Sequence, residues 1–454
     1  MKLPDSPQTP YWLQKIQYII DPLGYLESNY QRYGDIFNAP IIGNHKRLLL
    51  VSDPKGLQQL FTRDGKEFYS PSNGHLQVLA GDNSIFCLEG DSHQRERKLL
   101  MPPFHGDRMR AYGQTICQLT EQVFNSLTPG TTFSARSVVQ EISLEIILQV
   151  IFGIYEEERF QKLKQLITEF MDSFTSPLIS SVLFFPFLRK DFGAWSPWGY
   201  FRRLQQEMEQ LLYAEISDRR LQYDSTRTDI LTLLLSARDE NAQGMSDQQL
   251  HDELISLLIA GHETTATAIS WALYWIHKYP EVNEKLLQEL DTLGDSPEAM
   301  SIFKLPYLTA VCNESLRIYP VAILTAPREV KEPVELMGYH VDPGTRVYGC
   351  IYSTHHREDL YPQPKRFKPE RFIERQYTPY EFLPFGGGSR RCLGEALAIF
   401  EMKLVLATIL THYQLSLDDS QLVKPQRRGV TIAPTGGVKM VLQKKQQKGN
   451  ESKQ

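Results

Sequence analysis

A glycine-rich stretch near the C-terminus places one cysteine where it could act as a metal ligand. Residues 385–394 read Phe-Gly-Gly-Gly-Ser-Arg-Arg-Cys-Leu-Gly. Glycine tolerates strained dihedrals and close approach, so the backbone here could fold closely around a sulfur atom or a flat cofactor. A helix is predicted directly after Cys392, and its N-terminal N–H groups and dipole would lower the pKa of the thiol and favour the thiolate. A thiolate bound to haem iron donates electron density that favours O–O cleavage.

A second stretch combines an acid and two hydroxyls inside a helix that is expected to be buried. Residues 260–265 read Ala-Gly-His-Glu-Thr-Thr, in the middle of a pattern that is apolar nearly all round. Glycine costs a helix about 1 kcal/mol relative to alanine, and threonine also lowers helix propensity. Such local violations of the sequence rules indicate function. A hydroxyl beside an ionisable acid can deliver protons as a general-acid chain, whereas the structural alternative is a threonine that bonds back to a helix carbonyl.

Five residues of the glycine-rich stretch resemble, at their spacings, the haem-binding signature of the cytochrome P450 family: Phe385, Gly388, Arg390, Cys392 and Gly394. The alternative is a glycine-rich turn that carries a buried cysteine. Further matches run in the family's order from His93 to Thr435, so the resemblance covers nearly the whole chain. It implies a mainly α fold with minor β, in which a long central helix lies over the haem and the cysteine loop and its helix lie beneath it. It also implies haem b (iron protoporphyrin IX) as the cofactor and Cys392 as the iron ligand.

The resemblance assigns roles to residues along the chain. In residues 260–265, Thr264 would hold the reduced oxygen and Glu263 would relay protons from water. The residues expected to contact the haem, besides Cys392, are His93, Arg97, Ala260, Arg328, Phe385, Gly386, Arg390 and Gly394. Those expected to line the substrate pocket are mostly apolar, which suits a hydrophobic substrate: Leu76, Val78, Ala260, Thr264, Ala322, Ile323 and Thr435. His93 taken alone would more often be an ordinary surface histidine.

One acid and two arginines are expected to support the cysteine loop. Glu314 and Arg317 lie three residues apart on a predicted helix, and alone such a pair is usually a surface bridge worth a few tenths of a kcal/mol. The resemblance implies that they form a buried network with Arg371 that holds the loop before Cys392. In a buried network each partner is indispensable, because removing one leaves an uncompensated charge.

The long helix that must position Glu263 and Thr264 has a clear start and end in the sequence. Ser246 and Gln249 fit a capping box, while Met245 and Leu250 fit the hydrophobic staple. The helix is expected to run from residue 246 to about residue 279, where Pro280 follows. A second helix is predicted over residues 21–33, and residues 36–42 and 47–51 should form a hairpin. Helical patterns dominate from residue 57; strands return after residue 330 and at 430–432 and 438–442, and about 443–454 should be a disordered tail.

Composition limits the remaining possibilities. No linker, charge block or repeat divides the 454 residues, so a single domain over residues 1–454 is predicted. A net charge of −5 argues against nucleic acid as a partner. The five cysteines have no spacing typical of zinc or of a disulfide scaffold, which favours a reducing compartment. No signal peptide or bilayer-spanning segment is apparent, so we expect a cytoplasmic monomer without a membrane anchor. The apolar run 178–188 could form the roof of the substrate channel or a buried helix connection.

The resemblance implies a monooxygenase that inserts one oxygen atom of O2 into a hydrophobic substrate. The chain looks most like bacterial, particularly cyanobacterial, members that oxidise fatty acids or terpenoids. About sixty residues follow Cys392, which leaves no room for a fused reductase, so a ferredoxin and a ferredoxin reductase are expected to supply electrons. Their docking face is expected to include Arg95, Lys98, Arg108, Arg110 and Arg391. A haem-thiolate sensor without turnover and a peroxide isomerase or dehydratase are the alternatives, and neither has much use for the acid and hydroxyl pair.

Overall fold

The structure is a computed structural model that describes residues 4–43, 45–72, 74–104, 107–153, 158–173, 189–193, 196–294, 297–418, 420, 422–429 and 431–445. The apolar run 178–188 lies outside these residues, so its two interpretations stay open. The chain forms two compact units. The first holds Ile116–Val139 together with the residues before Ser72 and after Glu263, and the second holds Ser72–Thr115 and Gln140–Glu263. A single domain therefore stays a prediction.

Helices make up most of the described chain. In chain order they are α1 (Tyr11–Ile20), α2 (Pro22–Tyr33), α3 (Pro54–Thr62), α4 (Gly74–Ala80), α5 (Gly90–Leu100), α6 (Asp107–Ser126), α7 (Ala135–Phe152), α8 (Glu158–Ser173), α9 (Pro197–Leu221), α10 (Ile230–Ser236), α11 (Asp247–Lys278), α12 (Pro280–Asp291), α13 (Ala299–Phe303), α14 (Pro306–Ile318), α15 (Ile351–His355), α16 (Arg371–Glu374) and α17 (Glu395–His412). Within the described ranges, no helix is long and apolar enough to cross a bilayer.

The strands are short and all belong to the first unit. They are β1 (Ile36–Asn38), β2 (Leu48–Val51), β3 (Phe68–Tyr69), β4 (Thr132–Ser134), β5 (Arg328–Val330), β6 (Val334–Leu336), β7 (Tyr339–Val341), β8 (Arg346–Gly349), β9 (Tyr413–Leu417), β10 (Pro425–Arg428), β11 (Thr431–Pro434) and β12 (Lys439–Lys445). A five-stranded sheet has the order β1-β2-β8-β5-β3, and a three-stranded sheet has the order β4-β12-β9. Two further pairs, β10-β11 and β6-β7, complete the β structure.

The predicted start of the long helix is confirmed in detail. The Gln249 side chain accepts a hydrogen bond from the Ser246 N–H at 2.9 Å, and the Gln249 N–H donates to the Ser246 hydroxyl at 3.2 Å. Met245 and Leu250 of the predicted staple are both buried. Because these contacts satisfy N–H groups that the first helical turn leaves unpaired, α11 begins where the sequence predicts.

The predicted hairpin and the first predicted helix are also confirmed. β1 pairs antiparallel with β2, with Ile36 opposite Val51, and α2 covers residues 22–33. The predicted tail is wrong in its first three residues. β12 continues to Lys445 because it pairs with β9, where Lys445 lies opposite Tyr413. That pairing joins distant parts of the chain, so the Lys- and Gln-rich composition of residues 443–445 gave no sign of it.

Candidate active site

The residues before α17 form a tight loop that carries Cys392. The Gly386 N–H donates to the Leu383 carbonyl at 2.9 Å, and the Cys392 N–H donates back to the Phe385 carbonyl at 3.0 Å. Gly386 has φ of +71°, a left-handed conformation that a residue with a side chain adopts only with strain. The second hydrogen bond closes the loop immediately before Gly394, the residue that precedes α17. Cys392 therefore lies at the N-terminal end of a long helix, as predicted.

The glycines of this loop make room for residues of the first unit. A Cβ atom on Gly387 would lie 2.6 Å from the Phe61 ring, and one on Gly388 would lie 2.8 Å from the Asp64 carboxylate. That carboxylate accepts hydrogen bonds from the Ser389 N–H at 2.9 Å and from the Ser389 hydroxyl at 2.7 Å. Asp64 thus anchors the loop. Sequence reasoning missed it, because a single acid more than three hundred residues upstream carries no local signal.

Arg328, which was predicted to contact the haem, is held largely by protein groups. It is fully buried, and one terminal nitrogen lies 2.8 Å from Asp64 Oδ2 and donates to the Gly387 carbonyl at 2.9 Å. The other donates to the Ala326 carbonyl at 3.0 Å. Burial lowers the pKa of Arg328, and the charge of Asp64 offsets part of that effect. Among the described residues, the Arg328 Nε–H has no hydrogen-bond partner.

Glu314, Arg317 and Arg371 form one buried network in the first unit. Arg317 donates to both oxygens of Glu314, at 2.7 and 2.9 Å, and Arg371 Nε donates to one of them at 3.1 Å. Arg317 also donates to the His355 carbonyl at 2.8 Å, and the His355 ring nitrogen Nε2 accepts the Leu383 N–H at 3.0 Å. Burial and the charge of Arg317 lower the pKa of His355 well below its ordinary value. The network therefore reaches the cysteine loop through a neutral histidine that the sequence did not predict.

The polar stretch of α11 is buried or half-buried. A Cβ atom on Gly261 would lie 2.8 Å from the side chain of Ile147 on α7, so this position has no room for one. Glu263 is buried and Thr264 is half-buried. Within the second unit, the glycine thus permits a close approach of α7 to α11 one turn before Thr264. A packing role for Gly261 and a chemical role for Glu263 and Thr264 are compatible.

The other cations predicted to contact the haem occupy different units. His93 and Arg97 lie on α5 in the second unit, where His93 is buried and Arg97 is half-buried. The buried state of His93 removes the alternative of an ordinary surface histidine. Arg328 and Arg390 belong to the first unit, and Arg390 donates to the Ser70 carbonyl at 3.3 Å.

Most of the predicted pocket residues are neither fully buried nor fully exposed. Half-buried positions are Leu76, Val78, Ala260, Thr264, Ala322 and Thr435. Thr435 accepts a hydrogen bond from the Lys424 N–H at 2.9 Å. Ile323 differs, because it lies in a hydrophobic core cluster with Tyr348 and Ile432. Its contribution to the first unit is therefore core packing, whatever else it contacts.

Three of the five cations predicted to attract a redox partner are paired with acids. Three form ion pairs: Arg95 with Asp239 at 2.7 Å, Lys98 with Glu240 at 2.7 Å, and Arg391 with Glu395 at 2.6 Å. Arg110 is exposed, and the side chain of Arg108 lies outside the described residues. Carboxylate partners neutralise much of the local field, so a strongly basic docking face is not supported at Arg95, Lys98 and Arg391.

Comparison with known proteins identifies the family. The family model for cytochrome P450 matches residues 4–440. A Mycobacterium tuberculosis protein named as cytochrome P450 135B1 is 33% identical over 442 residues, which cover 97% of this chain and 91% of that protein. The chain belongs to the cytochrome P450 family. Another relative from the same species, named as cytochrome P450 138, is 32% identical and is covered to 97% of its length.

Solved structures confirm the cytochrome P450 fold. The cyanobacterial protein CYP120A1, solved with bound retinoic acid, superposes with a TM-score of 0.84 at 24% identity and covers 97% of this chain. The haem domain of cytochrome P450DA superposes with a TM-score of 0.82 at 21% identity and covers 98%. Both matches extend over 98% or more of the solved chains. The predicted mainly α fold with minor β is confirmed.

Cytochromes P450 are monooxygenases that bind haem b, and the cysteines of this P450 show which one fits a thiolate ligand. Of the five, all of which the structure describes, Cys392 alone is exposed. Burial raises the pKa of Cys312 to about 12 and that of Cys350 to about 11. Burial also raises the pKa of Cys117, and Cys87 is buried. Since only a deprotonated sulfur binds iron well, Cys392 is the cysteine whose surroundings suit the role.

Proposed function

We propose that this cytochrome P450 inserts one oxygen atom of O2 into a fatty acid or a terpenoid, with Cys392 as the iron ligand. The observation that carries the proposal is the exposed Cys392 thiol at the start of a buried helix, in a loop that Asp64 and His355 fix in place. Haem b, when bound there, supplies the reductive activation of O2. The chain supplies the thiolate, the fold of the loop and the protons.

Glu263 and Thr264 provide the protons. They are neighbours on α11, and Glu263 is buried while Thr264 is half-buried. Glu263 takes a proton from water, and the Thr264 hydroxyl donates it where oxygen is reduced. A positioned acid and hydroxyl typically contribute about a hundredfold or more to such a step. A gas sensor or a peroxide isomerase needs no such supply, so this pair favours turnover with O2.

The substrate class follows from the apolar side chains at the positions assigned to the pocket, including Leu76, Val78 and Ala322. No charged side chain stands among those positions, so the binding energy comes mainly from burial of hydrocarbon. Electrons come from a separate ferredoxin and its reductase. We propose a cytoplasmic monomer. Because Arg95, Lys98 and Arg391 are paired with acids, docking of an acidic ferredoxin does not rely on the charge of these three side chains.

The first experiment tests Cys392. The reduced, carbon-monoxide-bound protein should show the red-shifted band of a thiolate-ligated haem, and Cys392→His should abolish that band even where haem is retained. Cys117→Ser is the matched control and should keep the band, because burial raises the pKa of that thiol and disfavours a thiolate. A band that survives in Cys392→His would assign the ligand elsewhere and overturn the proposal.

The second experiment tests Thr264 and Glu263 with a surrogate ferredoxin, its reductase and a panel of fatty acids and terpenoids. Thr264→Ala should bind ligand and consume reduced nicotinamide but release mostly hydrogen peroxide, because the donating hydroxyl is gone. Glu263→Gln should instead slow nicotinamide consumption, because the proton supply fails. The measurement is hydroxylated product per nicotinamide oxidised. Parent-level yield in Thr264→Ala would place the proton supply elsewhere and favour the sensor or isomerase alternatives.

A further inference from the structure

The segment from Gly81 to Ile85, between α4 and α5, is fastened to the first turns of α11. The Asn83 N–H and the Asn83 side-chain amide both donate to Oδ2 of Asp252, each at 3.0 Å. One residue further, the Ser84 hydroxyl lies 2.7 Å from the Ser256 hydroxyl, and both serines are fully buried. All of these residues belong to the second unit.

Gly81 lies directly against the Asp252 carboxylate. It has φ of +87°, and a Cβ atom there would lie 2.4 Å from the carboxyl group of Asp252. A side chain at this position would therefore be strained by its backbone conformation and would also collide with Asp252. The glycine thus permits the backbone to pass directly over the carboxylate.

Asp252 is held from its own helix as well. Its Oδ1 lies 2.9 Å from Nδ1 of His251, and the Ser256 hydroxyl donates to its backbone carbonyl at 2.6 Å. The His251 ring stacks on the Tyr213 ring, with centroids 4.7 Å apart and planes 7° apart. Because Asp252 is buried and His251 holds its Oδ1, the carboxylate is positioned by its own helix as well as by the segment. We name the contacts of Asp252 and Ser256 with residues 81–85 the latch.

The latch lies between α4, which carries residues assigned to the substrate pocket, and α5, which carries residues assigned to haem binding. Gly81 directly follows α4, which carries the pocket positions Leu76 and Val78, and its N–H donates to the Gln77 carbonyl at 3.0 Å. On the other side, the Ser84 carbonyl accepts the N–H groups of Cys87 and Leu88, in the turn that leads into α5. α5 carries His93 and Arg97. A displacement of the segment would therefore act on the C-terminal end of α4, whose Val78 carbonyl also accepts a hydrogen bond from the Gln205 side-chain amide at 3.4 Å.

We propose that Asp252 is a positioning residue that sets substrate affinity by fixing, through the latch, the place of Leu76 and Val78. This inference rests on the proposed function, which assigns those two residues to the pocket. Asp252 acts through Asn83 and Gly81. Hydrogen bonds are directional, so they fix the orientation of the segment more closely than apolar packing alone would.

The functional test compares two ligands of the haem protein. One is the tightest binder from a panel of C12–C18 fatty acids and farnesol. The other is imidazole, which binds haem iron directly and is too small to require contact with Leu76 and Val78. In Asp252→Ala the Kd of the large ligand should rise about tenfold or more, while the Kd of imidazole and the carbon-monoxide band stay unchanged. Asp252→Asn keeps an oxygen that Asn83 can reach and should recover much of the affinity. A large-ligand Kd within about twofold of the parent in Asp252→Ala would overturn the proposal.

A double-mutant cycle tests the latch without relying on haem chemistry. Gly81→Ala should lower the melting temperature more than Gly130→Ala, because Gly130 has a similar φ of +81° but open space around it. In the Asp252→Ala background, the excess cost of Gly81→Ala should shrink, since the collision partner is gone. Additive effects would overturn the latch. If the parent protein showed no thiolate band, the proposed function would be refuted. The double-mutant cycle would then decide by itself whether Asp252 and Gly81 form the latch.

Discussion

Two clusters of buried acids, one in each unit of the molecule, differ in how their charge is compensated. In the first unit Glu314 is fully buried and accepts hydrogen bonds from Arg317 and Arg371. In the second unit Glu253 is fully buried and Glu96 is 1% exposed, and among the described residues no side chain donates a hydrogen bond to Glu253. The first cluster compensates its charge with two arginines, whereas the second has Arg95 near Glu96 and, among the described residues, no arginine or lysine paired with Glu253.

The pKa values of Glu253 and Glu96 reflect this difference. Burial raises the pKa of Glu253 well above its ordinary value, and the charges of Glu96 and Asp252 raise it further, while the Ile85 N–H offsets part of the increase. Burial raises the pKa of Glu96 to about 7, with partial compensation from Arg95. The cluster of Glu96 and Glu253 thus accommodates its buried carboxyl groups by favouring their protonated form. In the first cluster Glu314 accepts hydrogen bonds from two arginines and holds the local structure, so removing one of these partners should have the largest effect.

Arg317→Ala should be the most damaging single change. It strands the Glu314 carboxylate with Arg371 alone and removes the donor that holds the His355 carbonyl, through which the network reaches the cysteine loop. Breaking a buried pair in this way typically costs about 3–5 kcal/mol. We expect a large loss of unfolding free energy in urea and poor haem retention, measured by the ratio of haem to protein absorbance.

Arg47→Ala is the matched control for that change. Arg47 pairs with Asp342 at 2.5 Å, but its side chain is 64% exposed, so the pair is screened by water and salt. The expected cost is about 0–1 kcal/mol with normal haem content. If Arg317→Ala lowered the unfolding free energy no more than Arg47→Ala, the buried and the exposed ion pair would be equivalent. The structural role of the buried Glu314 network would then be refuted.

The sequence could predict part of this contrast. Glu314 and Arg317 are three residues apart on a helix, so local spacing already indicated a pair, and the family resemblance added Arg371. The capping box at Ser246 and the hairpin at Ile36 were likewise local patterns. Asp64 and His355 could not be predicted, because each acts on a loop reached only through the tertiary fold. Glu96 and Glu253 were missed for a related reason, since an acid on a helix is usually solvated and only the packing of α5 and α11 shows otherwise.

Glu253→Gln should stabilise the protein at neutral and higher pH. The native state keeps Glu253 protonated at a pH where the unfolded chain ionises it, so the native state binds more protons and loses stability as the pH rises above the unfolded pKa. Glutamine carries no charge at any pH and avoids this loss. The melting temperatures of the parent and Glu253→Gln should therefore converge toward pH 5 and separate toward pH 8.

The exposed Glu332 provides the control, because Glu332→Gln should leave the difference from the parent unchanged across the same pH range. The gain comes from the proton linkage and grows by at most about 1.4 kcal/mol per pH unit between the unfolded and native pKa values. Parallel melting curves for the parent and Glu253→Gln between pH 5 and pH 8 would mean that Glu253 is ionised in the native state, and the second unit would then need a cation for it.

Glu96→Gln should have the smallest effect and should sharpen the comparison most. The pKa of Glu96 is about 7 in the folded protein against an ordinary value of 4.5, so its stability cost develops between these two pH values and is constant above them. Glu96→Gln should therefore gain stability over the parent up to about pH 7 and no further. It should also lower the pKa of Glu253, because the charge of Glu96 is one of the causes that raise it. The double variant with Glu253→Gln should then gain less than the sum of the two single changes, since each removes the same repulsion. Thermal unfolding of the four proteins at pH 5, 7 and 8 measures this coupling, and strict additivity would show that the two acids are independent and that desolvation alone keeps each of them protonated.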